Sequence, residues 1–189
     1  MLYLVLSAAL CLEPAKTDDA LARLINRLDR AVDPAERLGL VRAIAAQKSP
    51  RAIATLSVIL AEEKSPDAIR MAALEGLVKL NLADGNDAIA LAALDARSAA
   101  VRARAVEEIG TLRITEFLPA CTRALQHDSP LVRRAGVEAI VQFGDWKLAQ
   151  RVIPFVKDPN AGVSASARRG VALVSLHFLH LATKQFRTP

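Results

Sequence analysis

The side chains of this sequence that are suited to chemistry are few. His177 and His180 are three positions apart in a C-terminal apolar stretch, a spacing that places two imidazoles on one face of a helix. Because no acidic residue or cysteine lies beside them, the sequence predicts no metal site there. His127 precedes Asp128 in a turn, where the pattern favours a capping role over general base catalysis.

Motifs that bind nucleotides or activate nucleophiles are missing from the sequence. It contains no phosphate loop, no Gly-x-Gly-x-x-Gly, no Gly-x-Ser-x-Gly elbow and no Cys-x-x-Cys pair. Cys11 and Cys121 are far apart, which indicates two small buried residues rather than a disulfide framework. We therefore predict that the chain is not an enzyme and that it carries no cofactor and no metal.

Arginines recur along the chain with a nearly constant period. The repeated position, called the anchor here, is occupied in chain order by Arg37, Arg70, Arg102, Arg133 and Ser164. Successive anchors are 33, 32, 31 and 31 residues apart. A fixed period of this length is the sequence signature of a repeat protein.

Apolar residues follow each anchor at helical spacing. Three positions after the anchor come Leu40, Ala73, Ala105, Gly136 and Ala167, and seven positions after it come Ile44, Leu77, Ile109, Ile140 and Val171. These offsets trace one face of an α-helix. Another apolar helical pattern precedes each of these helices, and loops such as residues 84–86 separate the pairs. The sequence therefore predicts antiparallel helix pairs that bury their apolar faces by stacking.

The repeat resembles the HEAT-like repeats of the type named after phycobilin lyases. The signature is a turn followed by an apolar residue and arginine, as in Asp128-Ser129-Pro130-Leu131-Val132-Arg133, with Pro119 and Pro154 in first helices. The resemblance implies an all-α fold, a right-handed α-solenoid of about five HEAT-like helix-pair repeats. It also implies a binding or scaffolding role, although the family includes lyase subunits. We expect the repeat domain to cover residues 17–182 and a C-terminal tail to cover residues 183–189.

The apolar segment of residues 1–16 has two interpretations, a partial repeat helix or a signal-like remnant. The run from Leu2 to Leu12 is too short to span a bilayer, and no Lys or Arg precedes it. This favours the partial helix and a cytoplasmic protein. The alternative is an exported protein, if residues 1–12 act as a signal segment.

The anchor arginines face the apolar side of their helices, so each needs a partner for its charge. Acidic residues precede the anchors in the turns, at Asp33, Asp67, Asp95 and Asp128. We predict a structural ladder in which Arg37, Arg70, Arg102 and Arg133 bind turn carboxylates or carbonyls of their own or an adjacent repeat. The competing interpretation is a row of arginines that binds phosphate.

The resemblance also implies that the second helix of each pair lines a concave face. Its exposed positions predict a partner-binding surface formed by Arg42, Glu75, Lys79, Glu107, Glu138, Gln142 and Arg169. Because the central glutamates would repel a phosphate backbone, nucleic acid is not expected there. The sequence predicts a protein or peptide partner with some basic character.

The remaining charge leaves two alternatives open. The formal net charge is +5, and residues 95–189 hold 14 basic against 8 acidic side chains. A basic C-terminal end with Arg123, Arg151 and Arg168 would suit a polyanion. The other alternative is an accessory subunit of a lyase-type enzyme. No membrane span is expected. The apolar C-terminal helix from Val171 to Phe186 suggests a terminal cap or a contact with a second copy, so we expect a monomer or a weak dimer through this helix.

Overall fold

The structure is a computed structural model that describes residues 13–80 and 83–185, with side chains placed for residues 19–80 and 85–176. These residues form the α-helices α1 Glu13–Arg30, α2 Pro34–Ala45, α3 Pro50–Ala61, α4 Asp67–Leu80, α5 Ala83–Asp95, α6 Ala99–Leu112, α7 Leu118–Ala124, α8 Pro130–Gln142, α9 Trp146–Ala149 and α10 Ala161–Gln185. Two 3₁₀ helices span Thr115–Phe117 and Gln150–Lys157. The segment 1–12, the end of the tail and the His177 and His180 side chains lie outside the described residues.

The helices are arranged in pairs within two compact units, residues 1–86 and 87–189, which divide inside α5. In the first unit α1 packs on α2, α3 packs on α4, and the second helices α2 and α4 lie side by side. In the second unit α7 packs on α8, and α8 lies between α6 and α10. Within each unit, the second helices of successive pairs thus form a layer, which confirms the all-helical repeat predicted from the sequence.

The second helices begin where the sequence supplies a capping side chain or a proline. The Asp33 carboxylate accepts the Glu36 N–H at 2.8 Å, and Pro34 opens α2. The Ser98 hydroxyl accepts the Val101 N–H at the start of α6. Such residues satisfy the N–H groups that the first turn leaves without a partner. At the far end of α8 the chain turns through Gly144, whose φ of 72° is a left-handed conformation that favours glycine.

The apolar positions that follow the anchors lie in the core as predicted. The residues three positions after the anchor are all buried, namely Leu40, Ala73, Ala105, Gly136 and Ala167. The residues seven positions after it are buried in the first four copies, namely Ile44, Leu77, Ile109 and Ile140, whereas Val171 is half-buried. Burial of this face against the neighbouring helices is the main favourable term in the stability of such a stack.

Three local predictions are wrong. Residues 84–86 lie in α5 rather than in a loop, because a helix tolerates Asp, Gly and Asn near its N-terminus. The first helix of the last pair is α9 followed by a 3₁₀ helix, in which Pro154 removes a backbone N–H. The C-terminal helix is the continuous extension of α10, so the described part through residue 185 does not fold back as a cap.

Four of the five anchor side chains, all except Arg37, close the turn between the two helices of a pair. The Arg70 side chain is only 2% exposed, and its Nε donates to the Leu60 carbonyl at the end of α3 at 2.9 Å. The Arg102 Nε donates to the Ala96 carbonyl just beyond α5 at 2.9 Å. The last carbonyls of a helix have no partner within the helix, and the negative end of the helix dipole favours a cation there.

The same role is filled at the two following anchors. The Arg133 Nη1 donates to the carbonyls of His127 at 3.0 Å and Asp128 at 2.8 Å. The Ser164 hydroxyl donates to the Val156 carbonyl at 2.7 Å. A short hydroxyl therefore makes the contact that an arginine makes in the earlier pairs.

The carboxylates that bind the anchor arginines are not the turn acids named from the sequence. Both Nη groups of Arg70 donate to Glu63, at 2.9 and 3.2 Å. Arg133 forms a two-pronged pair with Asp158, 25 residues later, at 2.9 and 3.0 Å. Arg37 donates to Glu62, also 25 residues later, at a longer 3.3 Å. The turn acid Asp33 instead caps α2.

Helices α6 and α8 approach so closely that the contact requires a glycine. A Cβ added to Gly110 would lie 2.5 Å from the Ala139 Cα and 2.7 Å from its Cβ, both parts of a buried helix. We expect Gly110→Ala to lower the free energy of unfolding by about 1–3 kcal/mol, because the two helices must separate. Chemical unfolding followed by circular dichroism measures this change.

Gly39 provides the matched control, since it is an exposed glycine within α2 and an added Cβ meets no atom within 4 Å. Gly39→Ala should raise the free energy of unfolding by about 0.5–1 kcal/mol through the helix preference of alanine. Equal stability of the two variants would contradict the close contact at Gly110.

Arg133→Ala should lower the free energy of unfolding by about 1.5–3 kcal/mol, since it removes charge-assisted hydrogen bonds to Asp158 and two turn carbonyls. Arg134→Ala is the control: its exposed Nε lies 3.6 Å from Glu138, and we expect a loss of about 0.5 kcal/mol or less. Thermal melts of both variants test the difference.

The effect of Arg133→Ala should also depend on pH. The hydrogen bond from Arg133 is the main cause that holds the pKa of Asp158 below its ordinary value. A lowered folded-state pKa stabilises the protein above the unfolded pKa of about 4, and this stabilisation is lost as the pH falls through the folded pKa. The stability difference between the wild type and Arg133→Ala should therefore be full at pH 7 and shrink at pH 3. A difference that grows on acidification would overturn this assignment.

Candidate functional site

The candidate surface in the first unit lies on α2 and α4. Arg42, Glu75 and Lys79 are all exposed there, and we call these three residues the first-unit face. None of them forms a hydrogen bond or ion pair through its side chain within the described residues. Glu75 and Lys79 are one helical turn apart on α4, yet they remain separate charges. The first-unit face therefore offers two cations and one anion without an internal partner.

The candidate surface in the second unit lies on α6, α8 and α10, and we call it the second-unit face. It contains Glu107, Glu138, Gln142 and Arg169, with Gln142 and Arg169 exposed and the two glutamates half-buried. Arg104 reaches Glu107 at 3.4 Å on the same helix. Glu107, one of the central glutamates expected to repel a phosphate backbone, thus has a cation one helical turn away.

Glu138 is held by donors from two helices. It lies 3.6 Å from the Arg134 Nε on α8 and 4.0 Å from the Arg169 Nη2 on α10. The Ser166 hydroxyl on α10 donates to it at 2.7 Å and in turn accepts from Arg169 at 3.1 Å. The second-unit face is therefore charged but nearly neutral, with its carboxylate fixed in position.

Sequence reasoning missed Arg134 and Ser166 as parts of this network. Arg134 and Glu138 have the i, i+4 spacing that pairs charges on a helix, so this contact was readable from the sequence. Ser166 could not be found in this way, because its contact with Glu138 joins two helices 28 residues apart.

Two and six positions after the anchor the other repeats carry only Gly, Ala or Ser, whereas α6 carries Arg104 and Glu108. Arg104 forms an ion pair with Glu108, whose side chain is only 7% exposed, whereas that of Arg104 is 42% exposed. Burial of a carboxylate is costly without a partner, and the arginine supplies one from the surface. The departure of this repeat from the common pattern is thus a buried acid neutralised on its own helix.

The described residues hold few groups that are poised for reaction. Within them, no cluster of three His, Cys, Asp or Glu side chains could hold a metal ion. Cys121 is buried in α7, and burial raises the pKa of its thiol to about 12, which keeps it protonated. The His127 Nδ1 accepts the Ser129 N–H at 3.0 Å, the turn role expected from the sequence.

The last helix pair exposes apolar side chains. A pocket of about 170 Å³ is lined by residues of α9, the second 3₁₀ helix and α10, including Trp146, Ile153 and Val174. Leu173 and Leu176 nearby are 62% and 64% exposed. A dimer contact through this helix stays a prediction. In the part of the chain that the structure describes, no helix has the length and apolarity that a membrane span needs.

Among the solved structures that match this chain are two of similar fold. That of human deoxyhypusine hydroxylase in complex with glycerol matches with a TM-score of 0.60 and 22% identity, over 69% of this chain and 46% of the hydroxylase. The chain therefore spans less than half of that protein. An engineered protein matches with a TM-score of 0.54 and 14% identity, over 82% of this chain and 79% of that one. At these identities the likeness concerns the fold alone. Among curated proteins, none matches the sequence.

The hydroxylase overturns the prediction that the chain is not an enzyme. A protein that is an enzyme by its name has a fold similar to this one. The exclusion rested on missing motifs and on a repeat architecture typical of binding proteins. Neither the missing motifs nor the repeat architecture separates enzymes from binding proteins, because activity depends on particular side chains placed on a shared fold.

A family comparison agrees with the repeat described above. Residues 86–172, from α5 into α10, match the family described as HEAT repeats. The phycobilin-lyase type within that family stays a prediction. The match supports a HEAT-like repeat family for this chain.

Proposed function

We propose that the chain is a HEAT-like repeat module that binds a protein or peptide partner through its second helices. In this proposal the helix pairs are repeats of a right-handed α-solenoid of about five pairs, and the first-unit face and the second-unit face are each the concave side of their own unit. The observation that carries the proposal is the mixed charge of both faces. Complementary mixed charges select a protein partner by orientation and by the rate of encounter.

The first-unit face supports direct recognition. Arg42, Glu75 and Lys79 are exposed and have no partner among the described residues, so a bound protein can pair with them without breaking an internal ion pair. Because no internal ion pair is broken when the partner binds, no charge of the protein is left buried without a counter-charge.

The second-unit face argues against a polyanion at the same surface. Glu107 and Glu138 are near its centre, and their neighbouring arginines are already engaged by them. A phosphate backbone needs free cations, because its affinity comes from the release of counterions by neutralised phosphates. The balanced charge suits a protein surface better.

Site-specific photocrosslinking in the native host tests the proposal. We expect a benzophenone amino acid in place of Glu75 to yield one defined protein adduct. The same residue in place of Ala54, which is exposed on the first helix α3, should yield none. Lys79→Glu should weaken binding of the captured protein by about fivefold, since exposed charge pairs contribute about 0.5–1 kcal/mol.

The outcomes separate the alternatives. Equal adducts from both positions, or no adduct from Glu75, would contradict a partner at the first-unit face. Displacement of the partner by single-stranded DNA, with an affinity that falls steeply with added salt, would favour the nucleic-acid alternative.

A further inference from the structure

A pocket of about 280 Å³ lies at the turn edge of the second unit, where the end of α5, the start of α6, the end of α7 and the turn after α7 meet. Its lining contains the hydrogen-bond donors Arg102, Arg123, Gln126 and His127. The acidic side chain in the lining is Asp128. This pocket lies on a different part of the unit from the second-unit face and has a different balance of charge.

The two arginines of the pocket retain unused donors. Arg102 spends its Nε on the Ala96 carbonyl, and its two Nη groups have no partner among the described residues. The exposed Arg123 forms no hydrogen bond or ion pair through its side chain in the same part of the chain. Two guanidinium groups therefore present free N–H groups to one pocket, an arrangement suited to a carboxylate or phosphate.

His127 adds a neutral donor. Because its Nδ1 accepts the Ser129 N–H, the proton of the neutral ring is on Nε2. Burial and then the charge of Arg102 lower the pKa of His127, with Asp128 opposing them, so the ring is neutral at pH 7. Arg133 binds the carbonyls of His127 and Asp128, which fixes the turn that carries this donor.

A second pocket continues the first along α7. It has a volume of about 450 Å³ and shares Arg123 and Gln126 with the first pocket. Leu118 and Pro119 give it an apolar side, and Arg151 lies at the same pocket with its Nη1 3.4 Å from the Thr122 hydroxyl. The two pockets form one turn-edge groove, polar at one end and apolar at the other.

The charge of the groove indicates which anion it fits. In the first pocket Arg102 and Arg123 bring two positive charges and Asp128 one negative charge, a balance that suits a monoanionic carboxylate better than a dianionic phosphate. A single-stranded nucleic acid would also need aromatic rings for its bases. The lining of both pockets offers none beyond His127, and the only Trp of the sequence, Trp146, lines a different pocket.

We propose that the turn-edge groove binds an extended acidic peptide segment. The side-chain carboxylate of an Asp or Glu lies between Arg102 and Arg123 and accepts from the His127 Nε2. A neighbouring apolar side chain of the peptide packs on Leu118 and Pro119. This site is independent of the proposed binding through the second helices, and it survives if that proposal fails.

The test uses the full chain and a defined probe, the blocked peptide acetyl-Ala-Glu-Glu-Leu-Ala-amide. Addition of the peptide should shift the backbone amide signals of residues 123–129 in ¹H–¹⁵N correlation spectra. A peptide with Gln in place of both Glu residues should cause much smaller shifts. Arg123→Ala removes the ion pair with the peptide carboxylate. It should weaken peptide binding by about tenfold, which is the contribution expected of a charge-assisted hydrogen bond.

Arg168→Ala is the matched control, because it removes the same charge from an exposed position on α10 outside the groove. It should leave peptide binding unchanged. Arg151→Ala tests the second pocket and should weaken binding of the peptide less than Arg123→Ala does. Thermal melts of each variant verify that the fold is intact.

Several results would overturn the proposal. Equal binding of the Glu and Gln peptides would exclude recognition of a carboxylate. Equal losses of peptide affinity in Arg123→Ala and Arg168→Ala would show that the net charge of the protein, rather than the groove, causes the effect. Tighter binding of a ten-residue oligothymidine than of the peptide would assign the groove to nucleic acid. Absence of any shift at millimolar peptide would exclude the site.

Discussion

After the first helix pair, each pair depends on a donor at the start of its second helix that binds the end of its first helix or the turn between them. Arg70, Arg102 and Arg133 donate to carbonyls at the end of the preceding helix or in the turn that follows it, and Ser164 does so in the last pair. Without such a donor, packing two helices around a tight turn would bury carbonyl groups that have neither water nor a partner. What the repeat requires at the anchor is thus a donor of the right reach, and positive charge is one way to supply it.

The sequence predicted what is local and periodic. The stripe from Ala73 to Leu77 and its equivalents followed from helical spacing alone, because burial of one face is repeated in every pair. The acidic partners of the anchors did not follow, since Asp158 reaches Arg133 across 25 residues and only the packed chain brings them together. The 3₁₀ helix around Pro154 was missed for a related reason, as apolar spacing does not reveal how tightly a short helix winds.

That the candidate surface binds a partner stays a prediction, and its charge balance could not be read from the sequence. Counting one column of residues made Glu107 and Glu138 look like an acidic strip, whereas the cations that balance them come from other columns and another helix. The turn edge was overlooked because its donors come from two helices and a turn, namely Arg102, Arg123, Gln126 and His127.

The glycine contacts between second helices have a mechanical consequence. The backbone of Ala139 occupies the space that a side chain at position 110 would need, and the side chain of Val141 occupies the corresponding space at Gly170. Helices seated in this way resist sliding and twisting against each other, because any shear drives a neighbour's atoms into the main chain. The layer of α6, α8 and α10 should therefore move as one rigid block. Any bending of the second unit should occur in its turns and its short 3₁₀ helices.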